Sequence, residues 1–99
     1  MNDWLKHLGL AHRAGKVVTG EDNIIYHIRA KKVELVIVAS DASDNTKKKY
    51  FDKCAFYGIQ CIEYGMIQDV SHAIGKANRV AVGITDTGFA KGLIAKILK

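Results

Sequence analysis

The segment Gly83-Ile84-Thr85-Asp86-Thr87-Gly88 has the glycine spacing of a phosphate-cradling loop between a strand and a helix. Such a loop needs a lysine and then a hydroxyl residue directly after the second glycine, to neutralise phosphate and hold magnesium. Phe89 and Ala90 stand there instead, so the segment reads as a capped strand-to-helix turn. Cys54 and Cys61 are seven residues apart, and His7, His12, His27 and His72 include no close ligand pair. The pattern predicts solvated histidines and no metal centre. A serine nucleophile elbow of the Gly-x-Ser-x-Gly type does not occur. The expectation is therefore no catalytic residue, no cofactor and no enzymatic activity.

Two basic segments remain. Lys47, Lys48 and Lys49, with Lys53 one turn later, fall opposite the apolar stripe of a helix, which predicts a solvated face. More informative is Arg13-Ala14-Gly15-Lys16, which leads through Thr19 to Gly20-Glu21-Asp22-Asn23. Here a basic strand delivers a glycine to the start of a helix, whose first N–H groups can face an anion. Asp22 and Asn23 offer acceptors, and Asn23 also donors, that match base edges. Read from the residues alone, they are first of all good first-turn capping residues, favoured there by the helix dipole.

Fifteen Lys and Arg against ten Asp and Glu give a net charge of +5 and a pI near 9.3, a balance that favours polyanionic partners. Ninety-nine residues with 48% hydrophobic content can fill one core, so a single domain over 1–99 is expected. No apolar run approaches the roughly 18 residues of a membrane span, and no signal-like N-terminus is present. A cytoplasmic protein with no membrane contact is expected. The two cysteines are expected on the buried sides of a helix and a short strand, with no disulfide framework.

Short extended segments alternate with helical ones, the pattern of an α/β sandwich. Asp3 is a candidate cap for a first helix that turns Trp4, Leu5, Leu8 and Ala11 inward and stops near Gly15. Strands are predicted at 16–19, at the apolar run LVIVA over 35–39, at 59–64 and at 79–85. Between them, Gly20 opens a helix carrying Ile24, Ile25 and Ile28. A third helix places Tyr50, Phe51, Cys54 and Ala55 on one side and stops at Gly58. A short fourth helix turns Met66, Ile67, Val70, Ala73 and Ile74 inward. Asp86 or Thr87 caps a last one carrying Phe89, Ala90, Leu93, Ile94, Ile97 and Leu98.

Four stretches together resemble the ribosomal-protein superfamily typified by archaeal L-seven-Ae and eukaryotic L-thirty-e. They are GLAHRAGKVVTGEDNI at 9–24, LVIVASDAS at 35–43 with NTKKK behind it, VSHAIGK at 70–76 and RVAVGITDTGFA at 79–90. The resemblance implies a three-layer α/β/α sandwich around a four-stranded mixed sheet, in agreement with the element order. It also implies non-catalytic binding of structured RNA, such as rRNA or another RNA with an internal loop, at a kink-turn or a related motif in a ribosome-associated role.

In that family a Gly-x-Asn-Glu motif at the start of the second helix contacts tandem G·A pairs, and a loop before the last strand covers extruded bases. The matching residues here are Gly20, Glu21, Asp22 and Asn23, with Thr19 before them, and the region Val70, Ser71, His72, Ala73, Ile74 and Gly75. Asp22 takes the usual Asn place, Asn23 the usual Glu place and Tyr26 that of a common lysine, so the donor and acceptor pattern is altered. Arg13, Lys16, Lys76 and Arg79 are expected to add phosphate contacts. A protein–protein adaptor is the alternative, since fold does not fix function. A monomer is expected because one sandwich can absorb every apolar stripe, with Tyr26 and Tyr57 as possible sites of weak contact.

Overall fold

A computed structural model describes residues 2–98; Met1 and Lys99, the two ends of the span expected to form one domain, lie outside the described residues. Nine elements alternate along it: α1 (Asp3–Arg13), β1 (Val17–Thr19), α2 (Glu21–Arg29), β2 (Leu35–Val38), α3 (Asp44–Tyr57), β3 (Gln60–Glu63), α4 (Ile67–Ala73), β4 (Ala81–Ile84) and α5 (Thr87–Ile97). The strands form one mixed sheet in the order β1-β4-β2-β3. β4 pairs antiparallel with both β1 and β2, and β2 pairs parallel with β3. The result is the expected three-layer α/β/α sandwich.

The period-two alternation of a strand divides the core into two halves. Leu35 and Ile37 of β2, with Val82 and Ile84 of β4, face Leu8, Val70 and Leu93 from α1, α4 and α5. Val36 and Val38, with Ala81, face Ile24 and Ile28 of α2 and Tyr50 and Cys54 of α3. All residues of the inner strands β2 and β4 are buried, as the continuous run LVIVA predicts for strands covered on both sides.

Gly83 of β4 shows how tightly α2 and its flanking segments lie on the sheet. A Cβ there would come within 2.8 Å of Val18 Cγ2 and 3.0 Å of Val33 Cγ2. The first glycine of the loop-like segment thus serves close packing. The turn after it is capped by Asp86, whose carboxylate accepts a 2.9 Å bond from the Phe89 amide.

Several sequence expectations need correction. Asn2, not Asp3, occupies the position before α1, and its side chain makes no capping bond. In α3 the apolar side is narrower than expected: Tyr50 and Cys54 are buried, whereas Phe51 and Ala55 are exposed. Met66 and Leu98 also face outward. His7 is not a solvated histidine; it packs beside Phe89 and against Gly92, with its Nε2 atom buried and unpartnered.

The two cysteines are free and meet between α3 and β3. The Cys61 thiol hydrogen-bonds to the Cys54 sulfur, and that bond together with burial holds Cys61 well above the ordinary thiol range. Tyr50, in the same half of the core, has its phenol pushed up to about 12 by burial and then by the carboxylates of Glu21 and Asp22.

Two stability outcomes follow from this packing. Gly83→Ala is expected to cost about 1–3 kcal/mol in urea unfolding, because the added methyl has no room unless the Val18 and Val33 side chains shift. Below pH 10 Tyr50 is protonated in both the folded and unfolded chains and contributes no pH dependence. Between pH 10 and about 12 the unfolded chain loses the proton while the folded chain keeps it. Stability therefore falls by about 1.4 kcal/mol per pH unit across that window. Tyr50→Phe is expected to remove that increment of the slope, read as the difference between the two proteins' unfolding free energies.

Candidate nucleic-acid interface

The antiparallel pairing of β4 decides which loops meet. Thr19 pairs with Val82 and Val38 with Ala81, so the end of β1, the end of β2 and the start of β4 share one edge of the sheet. Three segments therefore converge: Gly20 to Asn23 at the start of α2, Ser40 to Ser43 after β2, and the 74–80 loop before β4. A bond from Ala39 N–H to the Val80 carbonyl at 2.8 Å ties the end of β2 to the 74–80 loop, and one from Ser40 N–H to the Gly65 carbonyl at 2.7 Å ties the turn after β2 to the segment before α4.

Gly20 enters α2 at φ +88° and ψ 135°, with no side-chain capping bond at this terminus. Only glycine takes that backbone without strain. Asp22 and Asn23 lie inside the first turn, where the negative charge of Asp22 suits the helix dipole, and the first-turn N–H groups have no intrahelical acceptor. Asn23 is exposed; its amide nitrogen lies 3.4 Å from the Thr19 carbonyl, while its own carbonyl accepts a 2.8 Å bond from His27 Nδ1. The amide oxygen of its side chain makes no hydrogen bond among the described residues. Glu21 is held by Lys49 at 2.9 Å, which offsets one of the two negative charges beside the helix terminus.

The 74–80 loop turns sharply, with left-handed backbone at Gly75 (φ 67°) and Asn78 (φ 55°). Ser71 anchors it: its hydroxyl oxygen accepts a 2.8 Å bond from the Arg79 amide, and its carbonyl accepts from Lys76 N–H at 2.9 Å. Val70, Ser71 and Ile74 are buried, so their side chains shape the loop from below and cannot pack against a nucleotide without rearrangement. The exposed members are His72, Gly75 and Lys76, joined by Ala77 and Asn78, two residues that the sequence reading did not single out. His72, Lys76 and Asn78 border a depression of about 530 Å³ with Asp41. The Asp41 carboxylate accepts a 2.8 Å bond from Ile67 N–H and so ties the β2–α3 turn to the start of α4. Asp41 was also missed, because nothing in the sequence links position 41 to position 67.

The four predicted phosphate contacts divide. Lys76 and Arg79 belong to the converging loops, and the Arg79 Nε atom is buried without a partner. Lys16 sits at the other end of β1, where its carbonyl accepts from Thr85 N–H. A strand rise of about 3.3 Å per residue separates it from Gly20 by roughly 13 Å. Arg13 lies on α1 beside Gly9 and Ala73, on the far layer from α2. The lysine run is not simply solvated: Lys47 pairs with Glu63 at 3.3 Å, Lys48 with Asp52 at 2.9 Å and Lys49 with Glu21. Among the described residues no three His, Cys, Asp or Glu side chains gather as a metal site, and no helix is long and apolar enough to cross a membrane.

The model of the ribosomal protein L7Ae/L30e/S12e/Gadd45 family matches residues 2–94. The chain is 45% identical over 93 residues to the RNA-binding protein YlxQ of Bacillus subtilis, covering 94% of this chain and 93% of that one. It is 49% identical over 84 residues to the RNA-binding protein YlxQ of Enterococcus faecium, covering 85% and 81%. A protein of unknown function from Bacillus halodurans superposes over the full length of both chains, with TM-score 0.95 and 42% identity. A 15.5 kD RNA-binding protein of Giardia lamblia shares the fold, with TM-score 0.76 over 92% of this chain and 78% of that one at 18% identity. The coverage, the identities and the matching architecture lead to one conclusion: the chain belongs to the ribosomal protein L7Ae/L30e/S12e/Gadd45 family.

Proposed function

We propose that this protein binds structured RNA at a kink-turn or kink-turn-like internal loop, without catalysis, in a ribosome-associated role in the cytoplasm. The observation that carries the reading is the uncapped N-terminus of α2, set at the same sheet edge as the turned 74–80 loop. The relatives' designation as RNA-binding proteins supports it.

The chemistry suits an irregular loop better than a regular duplex. A-form RNA hides its base edges in a deep, narrow groove, whereas internal loops display them on a bent backbone. Free first-turn amides at Gly20 to Asn23 would take a phosphate. The Asn23 side chain, a donor and an acceptor on one planar group, would read a base edge beside it. Asp22 presents acceptors only and suits amino groups. Lys76 and Arg79 would neutralise phosphates on the strand leaving the bend, with His72 and Gly75 against an unstacked base. Because the protein surface is already formed, binding would select the bent RNA from its ensemble.

The first test is a titration with a kink-turn RNA and with a version whose G·A pairs are replaced by Watson–Crick pairs, at several salt concentrations. A clear preference for the kinked RNA is expected; equal, salt-sensitive binding to both would refute the internal-loop reading. Asn23→Ala is expected to lose about 1–3 kcal/mol of the discrimination between the two RNAs, and unchanged preference would remove Asn23 from base reading. Lys76→Gln should weaken binding to both RNAs alike and lower the slope of log affinity against log salt by about one.

A further inference from the structure

A second surface, on the outer side of the α2/α3 layer, is left unexplained by the internal-loop site. Tyr26 is 56% exposed and Phe56 80% exposed, so neither ring contributes much to the core. Phe56 stands edge-on to Tyr57, with ring centroids 4.9 Å apart, and the Lys32 ammonium lies 5.6 Å from the centre of the Tyr26 ring. Two shallow depressions lie along this face. One, of about 380 Å³, includes Tyr26 and Arg29; the other, of about 480 Å³, includes Phe56 and Tyr57. Lys49 and Lys53 border both.

We infer that this face binds a single-stranded stretch of RNA, its bases stacked on Phe56 and Tyr26 and its phosphates against Lys53 and Arg29. The inference rests on the reading that RNA is the ligand of this protein. It goes beyond the internal-loop site because Phe56, Tyr57, Lys53 and Arg29 all lie outside the converging loops. A docking protein needs a contiguous apolar patch, whereas here the aromatic faces are interrupted by Lys49 and Lys53, and Asp52, the one carboxylate of the second depression, is paired with Lys48. A nucleic-acid strand alternates the same way, with flat apolar bases between anionic phosphates, and is held by aromatic platforms in a basic groove.

Lys53 and Arg29 have no ion-pair partner among the described residues, so their charge is available to phosphate. Lys49 is already engaged by Glu21 and would contribute less. Because the first depression also includes Glu21 and Asp22, the groove runs directly into the start of α2. A strand leaving a bound internal loop could continue along it without a gap.

The test is an anisotropy titration of the full chain with a labelled, unstructured oligouridylate of about ten nucleotides, a length within the usual range for one small domain. Salt-sensitive binding is expected. Phe56→Ala, at a position too exposed to disturb folding, should weaken it about tenfold, and Lys53→Gln should lower the salt slope by about one. Both variants should keep wild-type affinity for the kink-turn RNA. Absence of uridylate binding at low salt, or an unchanged affinity in Phe56→Ala, overturns the assignment. So does binding of poly-glutamate in place of uridylate with loss in Phe56→Ala, which would make the face a protein-docking surface. If the uridylate effects hold while kink-turn preference fails, the internal-loop reading is refuted and this surface stands.

Discussion

The structure depends on the antiparallel seating of β4 between β1 and β2. This strand is the last to appear in the chain, yet it occupies the inside of the sheet, so most of its backbone bonds are made to segments far away in sequence. Its side chains feed both halves of the core, Val82 and Ile84 on one face and Ala81 on the other. Gly83 lets the α2 side close onto the sheet. The register that satisfies β4 also brings the loops around α2, β2 and β4 to one edge. The candidate interface is thus a by-product of the same hydrogen bonds that complete the fold, and it is held on strand ends rather than on a long free loop.

Polar interactions are spent on fixing that edge. Ser71 is buried; its hydroxyl accepts from the Arg79 N–H and its backbone carbonyl from the Lys76 N–H, and the two bonds fold the 74–80 loop back onto α4. Asp41 does the same for the turn after β2. Each bond is modest in net energy, but leaving the buried Ser71 hydroxyl without a partner would cost about 1–3 kcal/mol. The loops are consequently held in a defined shape before any ligand arrives, which limits the ordering cost of binding.

The distribution of charge is less simple than a net +5 suggests. Three consecutive lysines of α3 reach in three directions, to Glu63 on β3, Asp52 one turn on and Glu21 on α2. Exposed pairs of this kind add little stability. Their larger effect is to decide which cations remain open to an anion. Among the described residues, the cations left without a carboxylate partner include Arg29, Lys53, Lys76 and Arg79, which flank the two surfaces described above.

The order of elements, the two-sided burial of LVIVA and the glycine stops at Gly58 and Gly75 were legible in the sequence, because local periodicity and backbone freedom reflect near neighbours. The family was legible too, since its motifs are runs of adjacent residues. Other features were not. Phe51 and Ala55 fit the apolar side of α3 by spacing alone, but the width of that side is set by how far the sheet extends beneath the helix. Lys16 and Gly20 read as one basic motif, yet an extended strand holds them at opposite ends. The roles of Asp41, Ala77 and Asn78, and the burial of His7, arise from contacts between distant segments that no local pattern encodes. The sequence by itself determined the elements and the family; the tertiary structure alone decided which side chains face outward together, because strand register, not sequence proximity, sets which loops share an edge.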